Sequence, residues 1–352
     1  MTQAFDAEAA ASDRRHDHQV VLVLGGGNAL GAYHAGVYET LAEAGIEPDW
    51  VVGASIGAIV GAIIAGNRRE DRIAKLRRFW RPADRASMPM PWDMLPETWR
   101  RTGAALETMV FGQRGLFGPL DPLSIWGQHR THAGSNALYD THKMRAGLTK
   151  FIDFDLLNSG PMRFTATAID VNTGDDVCLD TRDQVIGVDH IRASAALLST
   201  FPAVEVEGRL LGDGGLSMNL PLDPVLGSHP RKPVLCFASD LLPLRSGPPR
   251  TLGEVIGRTQ DLLFAAQSRR TIMHWQGLLG AGTTPSSAPI KLVKVAYSEQ
   301  IREVAGKAMD FSPRTVRERW DHGRRDAERA LLACRADSAA LCEQAGLTII
   351  EN

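Results

Sequence analysis

The chain has 352 residues, enough for one large domain or two ordinary ones with an ample buried core. Hydrophobic residues make up 44% and charged residues 23%, an ordinary balance for a globular enzyme. The formal net charge of -2 gives no reason to expect general affinity for nucleic acid or anionic membrane.

Residues 1–18 read as a flexible polar tail without the apolar core of a signal peptide. Gln19–Leu24 (QVVLVL) is a continuous apolar run ending in glycines, which predicts a strand buried on both faces. Ala32–Glu43 has helical character, Asp49–Val52 predicts a second short strand, and a small-residue helix is expected from about Ile56 to Ala65. Strand, glycine turn and helix, twice over, is the signature of a parallel α/β sheet. Residues 70–80 read as an amphipathic helix. From about Pro82 to Pro122 the pattern dissolves into a Pro-, Met- and Trp-rich stretch with no clean period. It reads as an insertion packed on the core, or as a lid or acyl-chain pocket wall.

Further on, Arg163–Asp170 alternates like a strand, Val188–Leu198 reads as a helix, and Leu210-Leu211 lead into an Asp213-Gly214-Gly215 turn. Pro233–Ser239 predicts another buried strand, and a long helix is expected over much of Thr251–Leu279. A last strand is expected at Ile290–Tyr297 and a closing helix over Pro313–Gln344. No internal repeat or linker separates independent domains. The expected organisation is a catalytic domain at 19–240 carrying the 82–122 insertion, with 241–352 packed on it as an extension.

The 4 cysteines, Cys178, Cys236, Cys334 and Cys342, are scattered without a CxxC pair, which fits a reducing compartment. Cys178 and Cys236 lie in apolar strand-like runs and are expected to pack. His129 and His132 are the best-spaced metal-ligand pair, but no further cluster accompanies them, so no metal is expected. No run approaches the roughly 18 apolar residues of a membrane span. A cytoplasmic protein is expected, with any membrane contact peripheral and no nucleic-acid partner.

Two glycine-flanked turns each follow a strand. In Gly53-Ala54-Ser55-Ile56-Gly57, a serine on a tight strand-to-helix turn would project its hydroxyl above the sheet, and the helix behind it would favour a developing anion. Packing of small residues against the sheet accounts for the same glycines. In Gly25-Gly26-Gly27-Asn28-Ala29-Leu30-Gly31, dinucleotide spacing fails because Leu30 stands where a third glycine is required. What remains is a run of backbone amides suited to an oxyanion hole, in which Asn28 tolerates positive φ. None of the 10 histidines sits in a recognisable catalytic setting: His34 falls inside the first helix, His190 precedes one, and His274 and His322 lie in helical stretches. The conspicuous acid is Asp213 on its glycine turn, where turn chemistry alone is the plainer reading.

Taken together, Gly25–Gly31, Gly53–Gly57 and Asp213-Gly214-Gly215 resemble the signature blocks of patatin-like phospholipases. Ala193–Pro221 resembles the family's approach to its catalytic aspartate, with Ala193, Ser194, Phe201, Pro202, Asn219 and Pro221 in place. The resemblance runs from about Gln19 to Ser239. Asp310-Phe311-Ser312-Pro313, Glu318-Arg319-Trp320 and Gly323 resemble the C-terminal extension of one bacterial branch. The chain departs from the family at Leu30, where Arg or Lys is common, at Asn28 in place of a glycine, and at Leu198 in place of a proline. The resemblance implies a three-layer α/β/α sandwich around a mainly parallel sheet. It implies a serine lipid acyl hydrolase without cofactor, using a Ser55–Asp213 dyad and backbone donors at Gly26, Gly27 and Asn28. The alternatives are a lipid- or protein-binding module on the same fold, and an α/β-hydrolase with a Ser-His-Asp triad.

Overall fold

A computed structural model of the chain describes residues 18–81, 94–119, 137–198, 200–280, 288–336 and 346–351. The first half contains β1 (Gln19–Leu24), α1 (Ala32–Glu43), β2 (Trp50–Ala54), α2 (Ile56–Ala65), α3 (Arg69–Trp80) and α4 (Glu97–Phe111). A two-stranded pair, β3 (Gly118–Pro119) and β4 (Tyr139–Asp140), precedes α5 (His142–Leu148) and α6 (Phe154–Ser159). Then come β5 (Arg163–Asp170), β6 (Asp176–Asp180), α7 (Val188–Ser194), β7 (Val204–Val206) and β8 (Arg209–Asp213). The rest comprises α8 (Gly215–Met218), α9 (Asp223–Leu226), β9 (Val234–Asp240), α10 (Leu252–Gly280), β10 (Ile290–Ala296), α11 (Pro313–Ala336) and β11 (Leu347–Glu351).

The main sheet runs β11-β10-β9-β1-β2-β5-β8-β7, with β6 also paired to β5. From β11 to β5 every pairing is parallel, while β6, β7 and β8 pair antiparallel. β1 shows why its sequence is apolar throughout. Val20, Leu22 and Leu24 enter one core with α1, α2 and α11, whereas Val21 and Val23 enter a second core with Leu222, Leu226 and Ile272. A strand with a core on each side has no face to give to water. The result is the expected three-layer α/β/α sandwich with a mainly parallel sheet.

α1 and α11 cross where both chains lack a side chain. A Cβ on Gly36 would stand 2.0 Å from the Trp320 carbonyl oxygen, and one on Gly323 would stand 2.1 Å from that of Tyr33. The closing helix therefore locks directly onto the first one.

Several expectations need correction. The stretch expected to lack regular structure contains α4, a helix of 15 residues. Its pattern is inverted: Arg100 and Arg101 are buried with Ala104, Ala105 and Thr108, while Trp99, Leu106, Val110 and Phe111 face outward. The Ile290–Ala296 strand is not the last, because β11 adds beside it. Cys236 packs as expected, but Cys178 is exposed on β6, where Asp176 and Cys178 face outward and Val177 and Leu179 are buried. The N-terminal tail to residue 17, Met88, Met90, Trp92, His129, His132 and Cys342 lie outside the described residues.

Candidate active site

The two glycine turns follow β1 and β2, which lie side by side with Leu24 opposite Gly53. Both loops therefore emerge together at the carboxyl edge of the sheet. Ser55 occupies the N-terminus of α2 at φ 55° and ψ -124°, a strained backbone for a non-glycine residue that lifts its side chain out of the sheet. The strain is held from below. The Ser55 N–H donates to the Ser194 carbonyl at 3.1 Å and lies 3.2 Å from the Ser194 hydroxyl. Gly57 lets the elbow sit tight on β1, since a Cβ there would stand 2.1 Å from the Leu24 carbonyl oxygen. Gly53 abuts Gly57 in the same way, and Gly31 lies against Ile56.

Strand register sets the distance between serine and acid. Ala54 is paired with Thr167 and Asp213 with Ala168 along the same edge of β5, since β6 fills the other edge at both positions, with Cys178 opposite Thr167 and Val177 opposite Ala168. Consecutive residues of one strand thus hold the two turns, and the Ser55 side chain comes close enough to the Asp213 carboxylate to favour its charged form. Asp213 Oδ1 also accepts from the Gly215 N–H at 2.7 Å. Gly214 packs on β5, where a Cβ would stand 2.4 Å from the Thr167 carbonyl oxygen. Asp213 is 2% exposed. Burial pushes its carboxyl up to about 6, against Ser55 and the Gly215 N–H, which favour the carboxylate.

The loop Gly25–Gly31 folds over the serine. Gly25 donates to the Ser239 carbonyl at 3.1 Å, and its own carbonyl receives His34 Nε2 at 2.8 Å. His34 Nδ1 lies 2.8 Å from the Ser239 hydroxyl, and burial pushes this imidazole down to about 4. A neutral ring with Nε2–H on Gly25 and Nδ1 accepting from Ser239 fits both contacts. Asn28 has φ 51°, as its residue type allows, and its side-chain amide donates to Met309 Sδ at 3.5 Å. The expectation for Gly26 is corrected: its N–H donates to the Asn219 carbonyl at 2.9 Å, so it is spent inside the fold. Gly27 and Asn28 remain as the loop's candidate donors.

Ser55 and Asp213 open into a cavity of about 230 Å³. Its walls are chiefly apolar, with Ile59, Met109, Phe117, Phe201, Leu242 and Met309 among them. Met109 and Phe117 belong to the stretch read as insertion or pocket wall. Phe264 on α10 and Lys307 to Met309 come from the C-terminal part, which sequence reasoning left out of the site. Lys307 and Asp261 form an ion pair of 2.6 Å in that wall, and both are buried. No histidine lines the cavity among the described residues. His190 Nδ1 accepts from the Gly187 N–H, His274 packs on Trp275, and His322 packs on Tyr297. Ser194 and Asn219, which brace the elbow and the glycine loop, lay within the family-like text, but their bracing roles had no signal of their own. No described helix is long and apolar enough to cross a membrane.

A family model described as patatin-like phospholipase matches residues 22–226, and a second, described as patatin phospholipase, matches residues 265–338. An uncharacterized NTE family protein of Mycobacterium tuberculosis is 26% identical over 261 residues, covering 72% of this chain and 60% of its own length. Mouse patatin-like phospholipase domain-containing protein 6 is 37% identical over 92 residues, covering 26% of this chain and 7% of its own. The chain thus spans 60% or less of these relatives' lengths. Among solved structures, VipD from Legionella pneumophila matches 90% of this chain and 67% of its own at 13% identity and TM-score 0.44. The type III effector ExoU matches 90% and 53% at 12% identity and TM-score 0.35. At these scores the architecture rests on the strand order described above.

Proposed function

This chain belongs to the patatin-like phospholipase family, and from that premise we propose that it is a serine lipid acyl hydrolase working through Ser55 and Asp213. The observation that carries the reading is Ser55, on its strained turn, beside the buried carboxylate of Asp213 in the wall of one apolar cavity. Ser55 Oγ attacks the ester carbonyl while Asp213 takes its proton. The amides of Gly27 and Asn28, with the N-terminus of α2, receive the oxyanion. Each well-placed donor is worth about 3 kcal/mol. Asp213 returns the proton to the leaving alcohol or lysolipid. Water, deprotonated by the same carboxylate, then releases the acyl group and regenerates the serine. A carboxyl near 6 is a better base at neutral pH than an ordinary aspartate near 3.9. The apolar walls suit an acyl chain, and this supports a carboxylic ester of a lipid as substrate.

The test is labelling by a fluorescent fluorophosphonate, with hydrolysis of p-nitrophenyl esters of increasing chain length. Wild type is expected to label and hydrolyse, Ser55→Ala to do neither, and Asp213→Ala to lose hydrolysis by several orders of magnitude. Folded wild type that neither labels nor hydrolyses would move the assignment to a lipid-binding module. Loss of activity on replacing His190, His274 or His322 would move it to a histidine triad.

A further inference from the structure

Large apolar side chains exposed to water are concentrated beside the cavity. Of the 20 among the described residues, 7 lie between Met94 and Phe111 and 6 lie on α10. On α4, Trp99, Leu106 and Val110 recur at i, i+7 and i+11, one stripe on the face opposite the buried arginines. On α10, Leu252, Ile256 and Leu263 form an outward stripe, while Asp261 and Phe264 line the cavity from the inward face. Both helices rest their inward faces on one segment. Gly306 packs against Ala105 and Met109 of α4, and Gly257 of α10 packs against Ala305. That segment itself lines the cavity. Each apolar cluster also adjoins an exposed arginine in sequence: Phe111 is followed by Arg114, Leu252 is preceded by Arg250, and Ile301, at 96% exposure, is followed by Arg302.

We propose that the outward faces of α4 and α10 are a docking surface for an anionic lipid bilayer, which seats the cavity against the surface that holds its substrate. Apolar side chains enter the boundary between headgroups and acyl chains, and the flanking guanidinium groups meet anionic headgroups. Trp99 suits the interface, with an apolar ring and one N–H donor. The inverted burial of α4 follows from the same arrangement, since the arginines are used inside to fasten the helix and the apolar residues are left for the membrane. The proposal takes its purpose from the lipid-hydrolase reading, but docking itself needs no turnover.

The experiment therefore uses the full chain carrying Ser55→Ala. Its flotation with vesicles of phosphatidylcholine alone is compared with vesicles containing about one-third phosphatidylglycerol. Binding is expected to favour the anionic vesicles, with a blue shift of tryptophan emission that Trp99→Phe removes. Leu106→Glu combined with Phe111→Asp is expected to reduce binding more than tenfold. Replacing Arg114, Arg250 and Arg302 by Gln is expected to reduce it roughly fivefold per residue. In a chain with Ser55 intact, all these variants should hydrolyse a short water-soluble ester at the wild-type rate. No flotation, or flotation unaltered by the substitutions, overturns the proposal. So does a lipid-free dimer that the Leu106 and Phe111 substitutions dissociate, which would assign the face to a second copy. Flotation with these dependences from a chain whose wild type hydrolyses nothing would leave the docking surface standing and remove the hydrolase reading.

Discussion

Asp213 gains its basicity at the expense of the fold. Its carboxyl is raised from 3.8 to about 6 by burial, so the unfolded chain releases this proton more readily than the folded one. The group's favourable contribution is full below about 3.8 and is lost as pH rises through about 6. At neutral pH and above this costs roughly 3 kcal/mol. Asp213→Asn, which keeps an oxygen for the Gly215 N–H, should therefore abolish hydrolysis and raise the urea midpoint at pH 8. The gain should vanish near pH 4, and a gain independent of pH would attribute the effect to packing instead. Hydrolysis by the wild type should rise with pH through about 6 and then level off. At this scale the serine and the acid were legible because each sits in a glycine turn after an apolar strand. Asn28 was legible too, since few other residues accept φ 51°. The use of the Gly26 N–H was not, because its partner, Asn219, is 193 residues away along the chain and no local pattern encodes that pairing.

α4 is anchored by charge on its inner face. Arg101 reaches Glu97 at 2.8 Å, Glu303 at 3.0 Å and Glu318, while Arg100 reaches Glu97, Ser312 and Thr315. Arg319 meets Glu303 at 2.8 Å and donates to the carbonyls of Lys307 and Asp310. Burial pushes the Glu303 carboxyl up, but Arg319 and Arg101 outweigh it and hold it at about 2. Arg101→Met would leave Glu303 buried with one cation fewer, and removal of one partner from such a cluster costs about 3–5 kcal/mol. The expected result is a lower urea midpoint at pH 7 and weaker protection of α4 amides from hydrogen exchange. An unchanged midpoint would mean that Arg319 alone satisfies Glu303. The helix escaped periodicity analysis for the same reason: a search for an apolar inner stripe meets Arg100 and Arg101 inside and Trp99, Leu106 and Val110 outside. By contrast α2, buried against the sheet, carries small and apolar residues throughout, and both α1 and α2 were read to within a residue. β11 escaped because it pairs parallel to β10 across a long connection, which no local turn signal records.

At the scale of the molecule, the alternation of strands, turns and helices announced a parallel sheet, yet strand order was hidden. β9 is inserted between β1 and β10, a pairing fixed by long-range packing that local residues do not record. The consequence is that a catalytic domain ending at residue 240, as expected from the signature blocks, would end on a central strand. Cutting there exposes the β10 side of β9 and removes α11 from the Gly36 crossing. It also strips Phe264, Lys307 and Met309 from the cavity wall. A chain of residues 1–240 should therefore lack a cooperative urea transition, bind hydrophobic dye and fail to label at Ser55 with fluorophosphonate. The full chain should show one transition by both near-ultraviolet circular dichroism and tryptophan fluorescence, because two segments that share one sheet and one cavity cannot melt separately. A sharply unfolding 1–240 fragment whose Ser55 still labels would make the C-terminal part an accessory layer. Loss of both, with the full chain intact, would make the two parts one folding unit whose active cavity lies at their seam.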